Sequence, residues 1–332
     1  MNRATAMAGN SFPFLYSCLM DGMHKLKGMV FGLAAGDALG VPVEFKEREY
    51  CRRNPVSGMQ GFGSHMQPPG TWSDDASMTF CTMEAMLEDF SPELLGRNFL
   101  RWLKEGWWTP HGVVFDKGLA TTDALYRLSQ GVPAALAGGA DEMSNGNGSL
   151  MRIAPLAWHP EGEEPALLQL VKEASSVTHR HPRSVLACHF YLSFLRLLMQ
   201  HGKEKAFSKV QHDWPVLILQ LWPEAESELS AFQRLLRPDF TALPEDAIES
   251  RGYVMHSLEA SVWCLMNSES YPEAVLKAVN LGWDTDTTGA VCGALAGAHY
   301  GYAAIPQEWI RVLARTSEIE NLALRFQARF CE

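Results

Sequence analysis

The sequence contains no Cys-x-x-Cys pair; its seven cysteines (Cys18, Cys51, Cys81, Cys188, Cys264, Cys292, Cys331) are scattered and odd in number. Neither a disulfide framework nor a thiolate zinc site can organise such a chain, and the cysteines read as small core hydrophobes. Runs of β-branched residues are nearly missing, which argues against sheet structure. No stretch reaches the ~18 to 20 uninterrupted apolar residues of a membrane span. Residues 12–20 are too short an apolar segment, and too weakly basic at their front, for a signal peptide. These absences predict a cytoplasmic protein with no membrane partner. Clusters of Lys and Arg are also lacking. With a formal net charge of −10, the overall field repels polyanions and disfavours nucleic acid as a partner. A small anionic ligand would need helix N-termini, backbone amides or a metal to hold it.

What is present is a core-forming chain: 332 residues, 47% of them hydrophobic, enough to bury a large interior. Residues 1–22 carry Phe12, Phe14, Leu15, Tyr16, Leu19 and Met20 without a cap or a sustained period, and read as an N-terminal extension. From Met23 the pattern turns helical, with Leu26, Met29, Val30 and Leu33 on one face and Gly28, Gly32, Ala35 and Gly36 permitting close backbone approach, ending near Gly40 and Pro42. A Gly/Pro-rich loop, residues 58–70, leads into Ser73-Asp74-Asp75, and a helix should follow at once. Further helices are expected at 92–105, 164–177, 183–201, 204–222, 224–236, 253–267, 271–281, 287–299 and 307–327, with a long loop over 106–122 and a Gly-rich loop over 138–149. Residues 202–250, polar and Pro-interrupted, read as a peripheral insertion. The expectation is an all-α fold with one domain over 23–332.

Two short segments concentrate oxygen-bearing side chains where a turn enters an apolar helix: Ser73-Asp74-Asp75 and Asp284-Thr285-Asp286-Thr287. Such ligands suit hard cations like Mg²⁺ and Mn²⁺, and carboxylates so crowded repel one another unless a positive charge joins them. Either segment alone also fits a helix cap, because Ser, Asp and Thr favour the N-cap and acids favour the first turn. The second segment is followed by a helix full of Gly and Ala, which lowers helix propensity and implies close packing by neighbours. Carboxylates at the mouth of a buried helix need compensating charge, and no Lys or Arg lies within either segment.

Read in order, Gly36-Asp37-Ala38-Leu39-Gly40 with Glu44, Ser73-Asp74-Asp75, Asn145-Gly146-Asn147-Gly148-Ser149-Leu150-Met151-Arg152, Thr178-His179, Gly252-Tyr253 and the Asp284 segment resemble the ADP-ribosylglycohydrolase family. The resemblance spans about residues 25 to 310. It implies a compact orthogonal helical fold and two divalent cations, Mg²⁺ or Mn²⁺, held by Ser73, Asp74, Asp75, Asp284, Asp286 and Thr287. It also implies an activity, removal of ADP-ribose from a modified acceptor, with Asp74, Asp75, Asp284 and Glu44 at the reaction centre and Glu44 as the candidate for moving a proton. Ala76 departs from the Thr that many relatives have after the paired aspartates.

The loop Asn145, Gly146, Asn147, Gly148, Ser149 is assigned by the resemblance to the diphosphate and ribose. Its glycines allow unusual φ and close approach, and its amides could point inward; an ordinary Gly/Asn turn has the same composition. His179 and Tyr253 would contact ADP-ribose as well, although a structural His and a core aromatic fit the residues equally. Trp72 and Trp283 flank the acidic segments and could wall the site.

The expected substrate is an ADP-ribosylated protein, with arginine the preferred acceptor by analogy with bacterial relatives. Two other readings stay open. One is an immunity protein that binds an ADP-ribosyltransferase toxin through residues 1–22, with or without turnover. The other is a dinuclear phosphohydrolase that splits ADP-ribose itself.

Overall fold

The computed structural model describes residues 11–160 and 163–330, with only the helical backbone of residues 11–21. Among the described residues there is no β-strand; three isolated bridges are the nearest approach to sheet. The fold is all-α, as the scarcity of β-branched runs predicts. The longer helices are α1 (Ser11–Gly40), α2 (Asp74–Leu87), α3 (Pro92–Glu105), α4 (Leu119–Ser129), α5 (Glu164–Ser176), α6 (Pro182–His201), α7 (Lys203–Leu221), α8 (Val254–Met266), α9 (Tyr271–Val279), α10 (Thr285–Tyr300) and α11 (Thr316–Phe330). The expected extension falls on residues 1–10, outside the described residues, and on 11–21, whose side chains are outside them too. The aromatic cluster of that segment is therefore not described.

At the centre, α1 and α10 run antiparallel in backbone contact. A Cβ at Gly28, Gly32 or Gly36 would run into the carbonyl oxygen of Gly297, Gly293 or Gly289, and one at Gly40 would meet the backbone of Asp286. The four-residue spacing puts all of these on one stripe of each helix, so the Gly/Ala content that weakens α10 as a helix is what admits α1. Segment Gly22–Val43 is long and apolar enough to cross a membrane by length and composition, although His24, Lys25, Lys27 and Asp37 interrupt its apolar residues, and 94% of its most apolar stretch is buried in the fold. It is a core helix. Tyr271 anchors the third neighbour, α9, by donating its hydroxyl to the Gly32 carbonyl oxygen at 2.8 Å.

Five elements differ from expectation. The helix expected from Met23 already begins at Ser11, and the helix expected over 224–236 is a 3₁₀ helix over Pro223–Phe232. The predicted loop over 106–122 ends early, because α4 already begins at Leu119. The predicted helix over 307–327 is broken between Val312 and Thr316, where Arg315 takes a left-handed φ of 51°. Residues 202–250 are docked rather than peripheral. Trp214 of α7 packs against Phe190 of α6 and against Phe232, with ring centroids 5.2 and 4.9 Å apart. That segment buries Phe207, Val210, Ile218, Leu235 and Phe240 as well. The five described cysteines are buried and unpaired.

Candidate active site

The two acidic segments meet at the end of the α1–α10 pair. Ser73 is the N-cap of α2, its hydroxyl accepting from the Asp75 amide; it also donates to Asp75 Oδ2 at 2.7 Å. Asp284 sits at the N-cap position of α10, but its side chain makes no cap hydrogen bond. Its Oδ2 accepts from the side-chain amide of Asn147 at 2.8 Å instead. The cap explanation therefore accounts for Ser73 and fails for Asp284.

Asp37, on α1, accepts the Ser73 and Ala76 amides at 2.8 and 2.9 Å. One carboxylate from a neighbouring helix thus satisfies amides at the start of α2 that have no intrahelical partner, and fixes that helix end against α1. Because the bond from Ala76 is made by its backbone, the Thr-to-Ala departure does not disturb it.

Charge is the central problem of this site. Ligand oxygens of Asp37, Asp75 and Asp286 lie within 4.8 Å of one another, as do those of Glu44, Asp284 and Asp286. Burial pushes the Asp74, Asp75 and Asp286 carboxyls well above the usual range, and neighbouring carboxylates push them further. Asp37 and Glu44 are each raised to about 7, mainly by burial. Among the described residues no Lys or Arg forms an ion pair with any of these acids; Glu44 is paired with His65. Asp75 Oδ1 and Asp286 Oδ2 are buried without a hydrogen-bond partner. Each orphaned oxygen costs about 1–3 kcal/mol or more if left so. Crowded, orphaned, all-oxygen donors without protein counter-charge fit a hard divalent cation.

Two residues bend the chain sharply beside the acids. Phe45, after Glu44, and Trp283, before Asp284, both have φ of 64°. Their backbones pair: the Phe45 amide donates to the Trp283 carbonyl and the Trp283 amide to the Lys46 carbonyl, each at 2.6 Å. Left-handed backbone at bulky residues is strained, and here it brings Glu44 and Asp284 to one place.

A cavity of about 480 Å³ opens beside the acids, lined by Glu44, Asp74, Asp284 and Thr287 together with Gly146, Asn147, Gly148 and His179. Ser73, Asp75 and Asp286 lie buried behind the first group. Asn145 and Ser149 are buried away from the cavity wall, bonded to Ser184 and Cys188 respectively. Tyr253 stands outside the wall and accepts from Arg183 at 3.2 Å. Trp72 is buried beneath, against Phe80, and Trp283 stacks on the Arg251 guanidinium; neither lines the cavity.

The Gly-rich loop uses its glycines for space, not for φ. Neither Gly146 nor Gly148 has positive φ; a Cβ at Gly148 would lie 2.7 Å from His179 Cε1. Asn147 spends its amide on the Gly252 carbonyl at 3.1 Å. Thr178 Oγ1 accepts from Arg152 Nη2 at 2.9 Å, since a guanidinium only donates, and shares a hydrogen bond with His179 Nδ1 at 2.9 Å. Burial, aided by Arg152, lowers His179 to about 3. The ring is neutral, and its Nε2 lies beside Gly146.

Sequence reading passed over three side chains near the acids. Asp37 lay inside a motif already singled out, so its signal was present. Asp116, half-buried, lines the cavity together with Asp74, and His65 bonds Glu44; both come from loops without local pattern.

A family model described as ADP-ribosylglycohydrolase matches residues 20–332. The chain belongs to the ADP-ribosylglycohydrolase family. It is 32% identical to an ADP-ribosylarginine hydrolase Tri1 of Serratia proteamaculans over 91% of this chain and 79% of that one. It is 26% identical to an ADP-ribosyl-[dinitrogen reductase] glycohydrolase of Rhodospirillum rubrum, over 88% and 91%. A solved structure titled ADP-ribosylglycohydrolase-related protein complex superposes with a TM-score of 0.75 at 34% identity, covering 94% of this chain and all of that one. The chain is thus an enzyme of the ADP-ribosylglycohydrolase family, whose chemistry removes ADP-ribose.

Proposed function

We propose that this ADP-ribosylglycohydrolase cleaves the bond between the anomeric ribose carbon and a guanidinium nitrogen of ADP-ribosylated arginine on protein. The observation that carries the reading is a pair of carboxylate clusters, Asp37–Asp75–Asp286 and Glu44–Asp284–Asp286, which share Asp286 beside one cavity and leave buried oxygens of Asp75 and Asp286 unpaired. The arginine acceptor is favoured by the relative named an ADP-ribosylarginine hydrolase.

Ser73, Asp74, Asp75, Asp284, Asp286 and Thr287 would hold two divalent cations, Mg²⁺ or Mn²⁺. When bound, these ions supply a fixed site for ribose hydroxyls and lower the pKa of a water. The chain's own residues do the rest. Gly146 and Gly148 let a diphosphate approach the loop closely, and His179, in its Nε2–H tautomer, would donate to a ligand oxygen beside them. Asn147 holds Asp284 in place. Water adds at the anomeric carbon, the carbon–nitrogen bond breaks with its electron pair going to nitrogen, and a proton returns to the guanidine; Glu44 moves that proton.

A panel of defined substrates, ADP-ribosylated on arginine, serine or nucleic acid, tests the reading, with products identified by mass. Intact ADP-ribose and unmodified arginine are expected. Release of AMP with ribose phosphate left on the acceptor would replace this reading with a phosphohydrolase, and cleavage confined to another acceptor would move the specificity.

A further inference from the structure

Loop residues 62–67 close on the Glu44 segment from outside. His65 Nε2 bonds Glu44 Oε2, and the Ser64 hydroxyl donates to the Glu44 carbonyl oxygen at 2.6 Å. Gly63 lies so close to Pro42 that a Cβ there would strike the Pro42 carbonyl oxygen. The His65 ring is wedged between Phe45 and Phe115, with centroids 5.8 and 5.3 Å away. The loop is itself braced: the Phe62 amide donates to the Gln67 carbonyl at 2.5 Å, and the Gln67 side chain donates to the His65 carbonyl at 3.2 Å. Phe62 and Met66 both take left-handed backbone, φ 67° and 54°, while remaining 56% and 71% exposed. That strain gains no burial for the two residues that bear it. What it does is turn His65 inward.

A glutamate has several staggered side-chain conformations, and one that must meet a reacting atom works only in the productive one. His65 occupies Oε2 and leaves Oε1 without a protein partner among the described residues. We propose that His65 is a positioning residue, which together with Ser64 locks the Glu44 carboxylate so that Oε1 faces the cavity. This rests on the proposed role of Glu44 in moving a proton.

Steady-state kinetics on a protein ADP-ribosylated on arginine, with saturating Mg²⁺, separates the two ideas. His65→Phe keeps the ring between Phe45 and Phe115 but removes the donor. It should lower kcat on the order of 10- to 100-fold, the scale of a misplaced reacting group, with KM nearly unchanged. His65→Gln, which restores an N–H donor, should recover most of kcat. In a Glu44→Gln background, His65→Phe should add no further loss, because coupled residues are not additive. If Glu44→Gln retains full activity, the role of Glu44 falls. If Glu44→Gln is inactive while His65→Phe, folded by thermal denaturation, matches the parent, the positioning inference is overturned. Independent, multiplicative losses, or a His65→Gln variant as poor as His65→Phe, overturn it equally; should His65→Phe not fold, His65→Leu, which also lacks a donor, carries the same comparison.

Discussion

The side-chain amide of Asn147 reaches Asp284 Oδ2 at 2.8 Å and Ser257 Oγ at the same distance, so the Gly-rich loop and the second acidic segment are one unit. Removing either partner tests it. Asp284→Ala should lower turnover roughly 10²- to 10³-fold, the range for deleting one preorganised electrostatic group, and lower bound metal with it. Asn147→Ala should cost less in turnover but leave Asp284 without its donor, destabilising the fold by about 1–3 kcal/mol. Metal analysis beside kinetics and denaturation checks both; full activity in folded Asp284→Ala would remove the basis of the site.

Chelation should abolish hydrolysis, with Mg²⁺ or Mn²⁺ restoring it and Zn²⁺ restoring it poorly, since the donors are oxygens without thiolate. The folded state should report the same ion independently. A cation that binds only the folded chain stabilises it by about 2.7 kcal/mol at 100 times its Kd. A melting temperature indifferent to Mg²⁺ and Mn²⁺ after exhaustive chelation would count against a cation among Asp75, Asp284 and Asp286.

Acid should weaken the fold through His179. Its folded-state value near 3 lies below the ordinary 6.5, so the unfolded chain takes up a proton first as pH falls. The stability due to the neutral ring is complete above about pH 6.5 and is lost down to about pH 3, with a limiting slope of about 1.4 kcal/mol per unit. Denaturation of His179→Asn between pH 6.5 and 4 should show a shallower loss than the parent; parallel curves would refute the assignment.

Glycine-to-alanine replacement usually favours a helix by about 1 kcal/mol. At Gly293 the sign should reverse, because the new Cβ meets the Gly32 carbonyl and overpacking costs roughly 1–3 kcal/mol. Gly22→Ala, whose Cβ meets nothing among the described residues, serves as the control within α1. Thermal denaturation should rank Gly293→Ala below the parent and Gly22→Ala level with it or above.

How much of this was legible depended on whether a residue's task was local. Ser73-Asp74-Asp75 and the Asp284 segment announce themselves, because their spacing and the apolar helix that follows are both within a few residues. The small residues of α1 and α10 likewise predicted close approach, and the structure pairs them. Asp37 lies within a recognisable motif, but its part in the site is invisible locally, since what it does is accept amides from a helix start 36 residues away. Asp116 and His65 had no pattern to show: their meaning lies in which loop folds over which. The break before Thr316 was missed for the same reason. Arg315 leaves the helical region to donate to the Thr109 carbonyl at 2.9 Å, a partner distant in sequence.

A helix pair in direct backbone contact has no side-chain layer between its members that could repack, swell on warming or yield to a core substitution. The gap between α1 and α10 is therefore set by covalent geometry, as in a ruler. Asp37 rides on one edge of that ruler and Asp286 on the other, so the spacing of like charges is insulated from sequence drift elsewhere in the interior.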